Sequence, residues 1–83
     1  MNNRKGVFTI SKDLIDYHPE SVMKIMSNVI IIHCEYSADY GKYQYNAISP
    51  LFEELEMGRF PPEYGFTIGP DGVKAFKVAN NEK

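Results

Sequence analysis

Val29-Ile30-Ile31-Ile32 is the longest apolar run in the chain, and it constrains the fold more than any other feature. Successive β-branched side chains have restricted χ1 angles and fit a pleated surface better than a helix. The run continues through His33-Cys34-Glu35-Tyr36-Ser37, so the sequence predicts a strand over Val29–Ser37. Alternation puts Ile30, Ile32, Cys34 and Tyr36 on one face and Ile31, His33 and Glu35 on the other. Asp39-Tyr40-Gly41-Lys42 has turn chemistry, and Tyr43 to Ile48 returns as the second arm of an antiparallel hairpin. The same run is far shorter than the roughly 18 apolar residues of a membrane span. Only Gly6 to Ile10 follows the basic start before Ser11-Lys12-Asp13 interrupts, less than the apolar run of about 7–15 residues in a signal peptide. The expectation is therefore a cytoplasmic protein with no membrane partner.

The remaining elements are short and are punctuated by Gly and Pro. Gly6 to Ile10 reads as a strand with Phe8 and Ile10 on one face. Ser11 opens a polar turn or a single helical turn through Asp16. His18-Pro19-Glu20-Ser21 is a helix start, because proline at the first helical position loses no hydrogen bond. Val22, Ile25, Met26 and Val29 then recur at three- and four-residue steps, which predicts a helix over 19–27 that exits at Asn28. Ser49-Pro50 repeats the helix-start pattern with Glu53 and Glu54 early, but Pro61-Pro62 enforces an extended chain soon after. Ser49–Met57 is thus compatible with a short helix or with a loop. Tyr64 to Ile68 and Val73 to Val78 form a hairpin around Gly69-Pro70-Asp71-Gly72. The order β-α-β-β-(short α)-β-β defines an α+β class: a mainly antiparallel sheet of four to five short strands with one principal helix packed on one face. A chain of 83 residues supports a single domain spanning 1–83, with ends at 1–4 and 80–83 expected to fray.

Candidate chemistry is sparse. His33-Cys34-Glu35 contains three metal-ligating side-chain types, but adjacent strand residues point to opposite faces and cannot share one ion. Cys34 reads as a small buried apolar residue and His33 as a half-exposed strand histidine. His18 has no spacing that would bring it to Cys34 as a catalytic base. Gly69–Gly72 lacks the lysine and hydroxyl of a phosphate loop. Glu53, Glu54 and Glu56 lie too close in sequence to act as an opposed acid and base. No catalytic residue, metal ligand or cofactor site is expected, and the protein reads as a non-enzyme.

Aromatic and acidic residues concentrate in the centre of the chain. Tyr36, Tyr40, Tyr43 and Tyr45 are four of the six tyrosines. Tyr36 and one of Tyr43 and Tyr45 have a core role, whereas Tyr40 sits in a turn where no core demand explains a large ring. Tyrosine gives rigid, amphipathic contact area at low entropy cost, which enriches it at binding surfaces. Residues 29–58 carry Lys42 alone against Glu35, Asp39, Glu53, Glu54 and Glu56, although the whole chain has a net charge of only −2. An acidic, aromatic surface suits a basic protein partner and disfavours nucleic acid. The predicted partner-binding residues are Tyr36, Asp39, Tyr40, Tyr43, Glu53, Glu54 and Glu56. Five strands in so short a chain leave edges to pair, and Ile31 and His33 mark the predicted self-association site of a homodimer.

Ile10-Ser11-Lys12-Asp13-Leu14-Ile15, Pro19-Glu20, Glu35-Tyr36, Tyr45 to Phe52 and Pro61-Pro62-Glu63-Tyr64 together resemble small proteins of tailed bacteriophages. The resemblance runs over most of residues 10–68 and carries no site residue with it. It implies a phage accessory or anti-defence factor that binds and inhibits or redirects a host protein in the bacterial cytoplasm. The alternative is an oligomeric sponge for a small ligand such as a nucleotide signal, with Arg59 and the Gly69–Gly72 turn as its anion contacts.

Overall fold

A computed structural model of the chain describes residues 3–78. In chain order the elements are strand β1 (Lys5–Ser11), helices α1 (Lys12–Tyr17) and α2 (Pro19–Met26), and strands β2 (Ile30–Ser37), β3 (Lys42–Ile48), β4 (Tyr64–Gly69) and β5 (Gly72–Lys77). The α+β class and the antiparallel pairing agree with the sequence. The strands divide into a three-stranded sheet of order β1-β3-β2 and a two-stranded sheet β4-β5. A parallel bridge between Val7 and Glu63 links the two. The expected end at 80–83 lies outside the described residues.

Local chemistry explains the boundaries. Ser11 ends β1 and caps α1, its Oγ accepting from the Leu14 N–H at 3.1 Å. The His18 N–H donates to the Leu14 carbonyl, and Pro19 then opens α2. Ser27 Oγ and Asn28 Nδ2 both donate to the Lys24 carbonyl at 2.8 Å, satisfying a carbonyl that the last turn leaves free. The predicted stripe is in place: Ile25 is buried, and Val22, Met26 and Val29 pack against the core.

The core comprises Phe8, Ile10, Ile25, Ala47, Phe52 and Tyr64. Phe8 stacks on Tyr45 at 5.2 Å and meets Phe66 edge-on at 5.0 Å, while Phe52 stacks on Tyr64 at 4.3 Å. Gly6 permits this arrangement. A Cβ there would lie 2.6 Å from the Tyr64 ring and 2.9 Å from that of Phe52, so only glycine lets both rings lie on β1. All this packing covers the β1 half of the sheet.

Three features go beyond the sequence reading: one settles an alternative it left open, one concerns the start of the chain, and one corrects a strand. Ser49–Met57 contains no helix. The Ser49 hydroxyl is buried and donates to the Asn28 carbonyl at 2.6 Å while accepting from the Leu51 N–H, which seats Phe52 in the core instead of starting a helix. Asn3 and Arg4, placed with the fraying end by the sequence, both take part in hydrogen bonds. The Asn3 carbonyl accepts from the Leu55 N–H, and Arg4 Nη1 donates to the Phe52 carbonyl at 2.7 Å. The third concerns β2, where strict alternation fails. Ile31 pairs with Ala47 and His33 with Asn46, so Ile32 is the extra residue of a bulge. The bulge moves Ile31 to the face shared by Cys34 and Tyr36, opposite His33 and Glu35. Neither face of β2 enters the core: Cys34 is exposed, and Ile30, Ile32 and Tyr36 are 69%, 55% and 48% exposed.

Candidate functional site

The hairpin β2–β3 turns through Ala38-Asp39-Tyr40-Gly41. The Tyr40 N–H donates to the Ser37 carbonyl, and Gly41 takes φ +61°, a left-handed conformation that glycine adopts without a Cβ penalty. The Gly41 carbonyl accepts from the Lys12 N–H at 2.8 Å, tying the turn to the start of α1. The turn is therefore braced, and Tyr40 projects from it with 76% of its surface exposed.

Behind the turn the aromatic rings form a file from the core outward. Tyr45 stacks on Phe8, Tyr43 lies 6.4 Å from Tyr45, and Tyr36 packs across the strands on Tyr43 at 4.6 Å. Cross-strand aromatic pairs of this kind each add roughly 0.2–1 kcal/mol to a sheet. Burial pushes the Tyr45 hydroxyl above the usual phenol value, and Cys34 beside it adds to the shift. Tyr45 thus fills the core position expected of one hairpin tyrosine. Tyr36 instead lies at the open margin, correcting its expected core role.

Tyr36, Asp39, Tyr40 and Tyr43 come together at this end. Glu53, Glu54 and Glu56 do not join them. They follow Ile48, which pairs with Lys5, whereas the turn follows Ser37, whose partner Lys42 pairs with Ser11 at the other end of the sheet. A strand of this length separates the two groups by about 20 Å. The glutamates line a surface cleft with Arg59, Phe60 and Lys77. Lys77 pairs with Glu53 at 2.7 Å and Arg59 with Glu56 at 3.7 Å, so two of the three carboxylates face cations of the same chain. The hydrogen bond and charge of Glu53 raise the Lys77 ammonium above its usual value. Sequence reading missed this pairing because Glu53 and Lys77 are far apart along the chain. It also gave no role to Phe60, which is fully presented to solvent beside the cleft.

His33 and Glu35 lie on one face of β2 with Nε2 and Oε2 3.1 Å apart. Cys34 stands on the opposite face, in register with Tyr45. Among the described residues no three His, Cys, Asp or Glu side chains converge on a point that would hold a metal ion. No helix among them is long and apolar enough to cross a membrane. Comparison with protein-family models, with curated proteins and with solved structures finds no match.

Proposed function

We propose that the chain is a non-enzymatic protein-binding protein whose contact surface is the braced tip of the β2–β3 hairpin. The observation that supports this is the position of Tyr40, which projects into solvent beside exposed Asp39 on a turn held by Lys12, with the Tyr36–Tyr43 pair behind it. A rigid aromatic anchor next to a carboxylate fits a pocket flanked by a basic side chain on a partner protein. The likeness to tailed-phage proteins supplies the class of partner, a host protein in the bacterial cytoplasm, and the role of an accessory or anti-defence factor. Glu53, Glu54 and Glu56 form a second, weaker patch, because Lys77 and Arg59 already offset two of their charges.

The nucleotide-sponge alternative finds less support. Arg59, its proposed anion contact, faces Glu56 in a cleft that also holds Glu53 and Glu54, and these carboxylates repel a phosphate. Capture from bacterial lysate, compared between variants, tests the reading. Asp39→Lys/Tyr40→Ala is expected to lose host proteins that the parent retains. Glu53→Lys/Glu54→Lys/Glu56→Lys is expected to keep most of them. Identical captures by the parent and the tip variant would refute the assignment, and loss with the glutamate variant alone would move the contact to the cleft.

A further inference from the structure

The free edge of β2 is the largest feature that the hairpin tip leaves unexplained. Ile30, Ile31, Ile32, Cys34 and Tyr36 are all exposed, and among the described residues the strand pairs on one side only, with β3. An edge strand with exposed apolar side chains and unpaired backbone groups is a template for another strand. The question is which strand.

Charge order along β2 answers it. When a strand pairs antiparallel with a copy of itself about a two-fold axis, directly opposed residues are related by reflection through one central position. Centring on Cys34 sets His33 opposite the second copy's Glu35 and Glu35 opposite its His33, two pairings of complementary groups. These add to the His33–Glu35 contact already present within each chain at 3.1 Å. Centring one residue later would oppose Glu35 to Glu35, and like groups directly opposed weaken a sheet. Centring one residue earlier would oppose His33 to His33 and leave Glu35 against Ile31. The bulge at Ile32 limits straight pairing to the stretch after it, so the strand cannot slide freely through these registers.

We propose that β2 pairs antiparallel with β2 of a second copy in the register centred on Cys34, making a homodimer with one continuous sheet of three strands from each chain. The two-fold axis runs perpendicular to that sheet, so both Tyr36–Tyr43 clusters lie on one face. Four strand positions and one strand spacing set the two Tyr36 positions about 14 Å apart. The dimer thus presents the hairpin contact surface twice, at opposite ends of one platform, and would gain from avidity toward a partner with repeated sites. The pairing itself does not depend on any partner.

Thiol cross-linking combined with light scattering tests the register. In the proposed dimer the two Cys34 Cα atoms are opposed at about 4.5–5.5 Å, inside the range of about 4.4–6.8 Å that a disulfide spans. Diamide, which takes up the two hydrogens of a thiol pair, is expected to convert the parent chain to a covalent dimer. In Cys34→Ser/Glu35→Cys the thiols are about 8 Å apart at the Cα atoms and offset along the strand, too far to bridge. This variant is expected to cross-link at least about tenfold more slowly. Without oxidant, light scattering at tens of micromolar is expected to give twice the chain mass of 9.5 kDa. His33→Glu opposes glutamates at both sites and is expected to weaken the dimer about tenfold, and His33→Glu/Glu35→Lys to restore it. A monomeric mass for the parent overturns the dimer. Equal cross-linking through positions 34 and 35, or no recovery in the charge-swapped variant, overturns the register.

Discussion

The two margins of the three-stranded sheet, β1 and β2, start from similar material and end differently. Each is a short strand rich in β-branched and aromatic residues, and each pairs with β3 on its inner side. On its outer side β1 is covered: the Val7 N–H donates to the Pro62 carbonyl at 2.9 Å, and Glu63 bridges to Val7. Phe52, Tyr64 and Phe66 close over its inward residues. Segment 50–63, which runs from the end of β3 to the outer edge of β1, provides both the backbone partner and the ring that fills the core. Nothing comparable reaches β2 among the described residues. Its isoleucines are as apolar as anything in β1 and remain in solvent. Hydrophobic sequence therefore does not determine which strand is buried here; the route of the following segment does.

This contrast predicts unequal responses to the same kind of substitution. Phe8→Ala removes a fully buried ring and is expected to cost about 3–5 kcal/mol. Ile32→Ala removes an exposed side chain and is expected to change monomer stability by about 0.5 kcal/mol or less. Urea unfolding of both variants at low protein concentration reads the difference, and comparable losses would erase the distinction between the margins. An effect between these two is expected at the point where segment 50–63 leaves β3. Ser49→Ala strips the hydroxyl that joins the Asn28 carbonyl to the Leu51 N–H and leaves both groups without that partner. It is expected to cost about 1–3 kcal/mol. It should also speed amide exchange at Val7, because the segment covering β1 is anchored there; unchanged exchange at Val7 would mean that the cover is held by Phe52 and Tyr64 alone.

The sequence revealed the elements more readily than their neighbours. Periodicity and proline placement located α2 at Pro19, and β-branching located β2, because both signals are local. The stripe Val22, Ile25, Met26 and Val29 pointed inward as its spacing implies. The exposure of β2 was not legible, since alternation predicts two faces and says nothing about what covers either of them. Nor was the bulge, which shifts Ile31 away from His33 and requires knowledge of the β3 register. Ser49 carried a helix-start signal that its burial against Asn28 overrode. The proximity of Tyr36, Asp39, Tyr40 and Tyr43 was legible because they are close in sequence and share one hairpin. Their separation from Glu53, Glu54 and Glu56 followed from strand pairing that composition does not encode.

Amide hydrogen exchange resolved by residue, measured over a range of protein concentrations, compares the two margins most directly. The Val7 N–H, bonded to the Pro62 carbonyl within the same chain, is expected to be protected equally at every concentration. Alternate amides along β2, those not bonded to β3, are expected to exchange freely in dilute protein and to become protected as the dimer fills. Protection of those β2 amides that does not change with concentration, or their free exchange even where light scattering reports a dimer, would contradict the account of β2 as an open edge that a second copy completes.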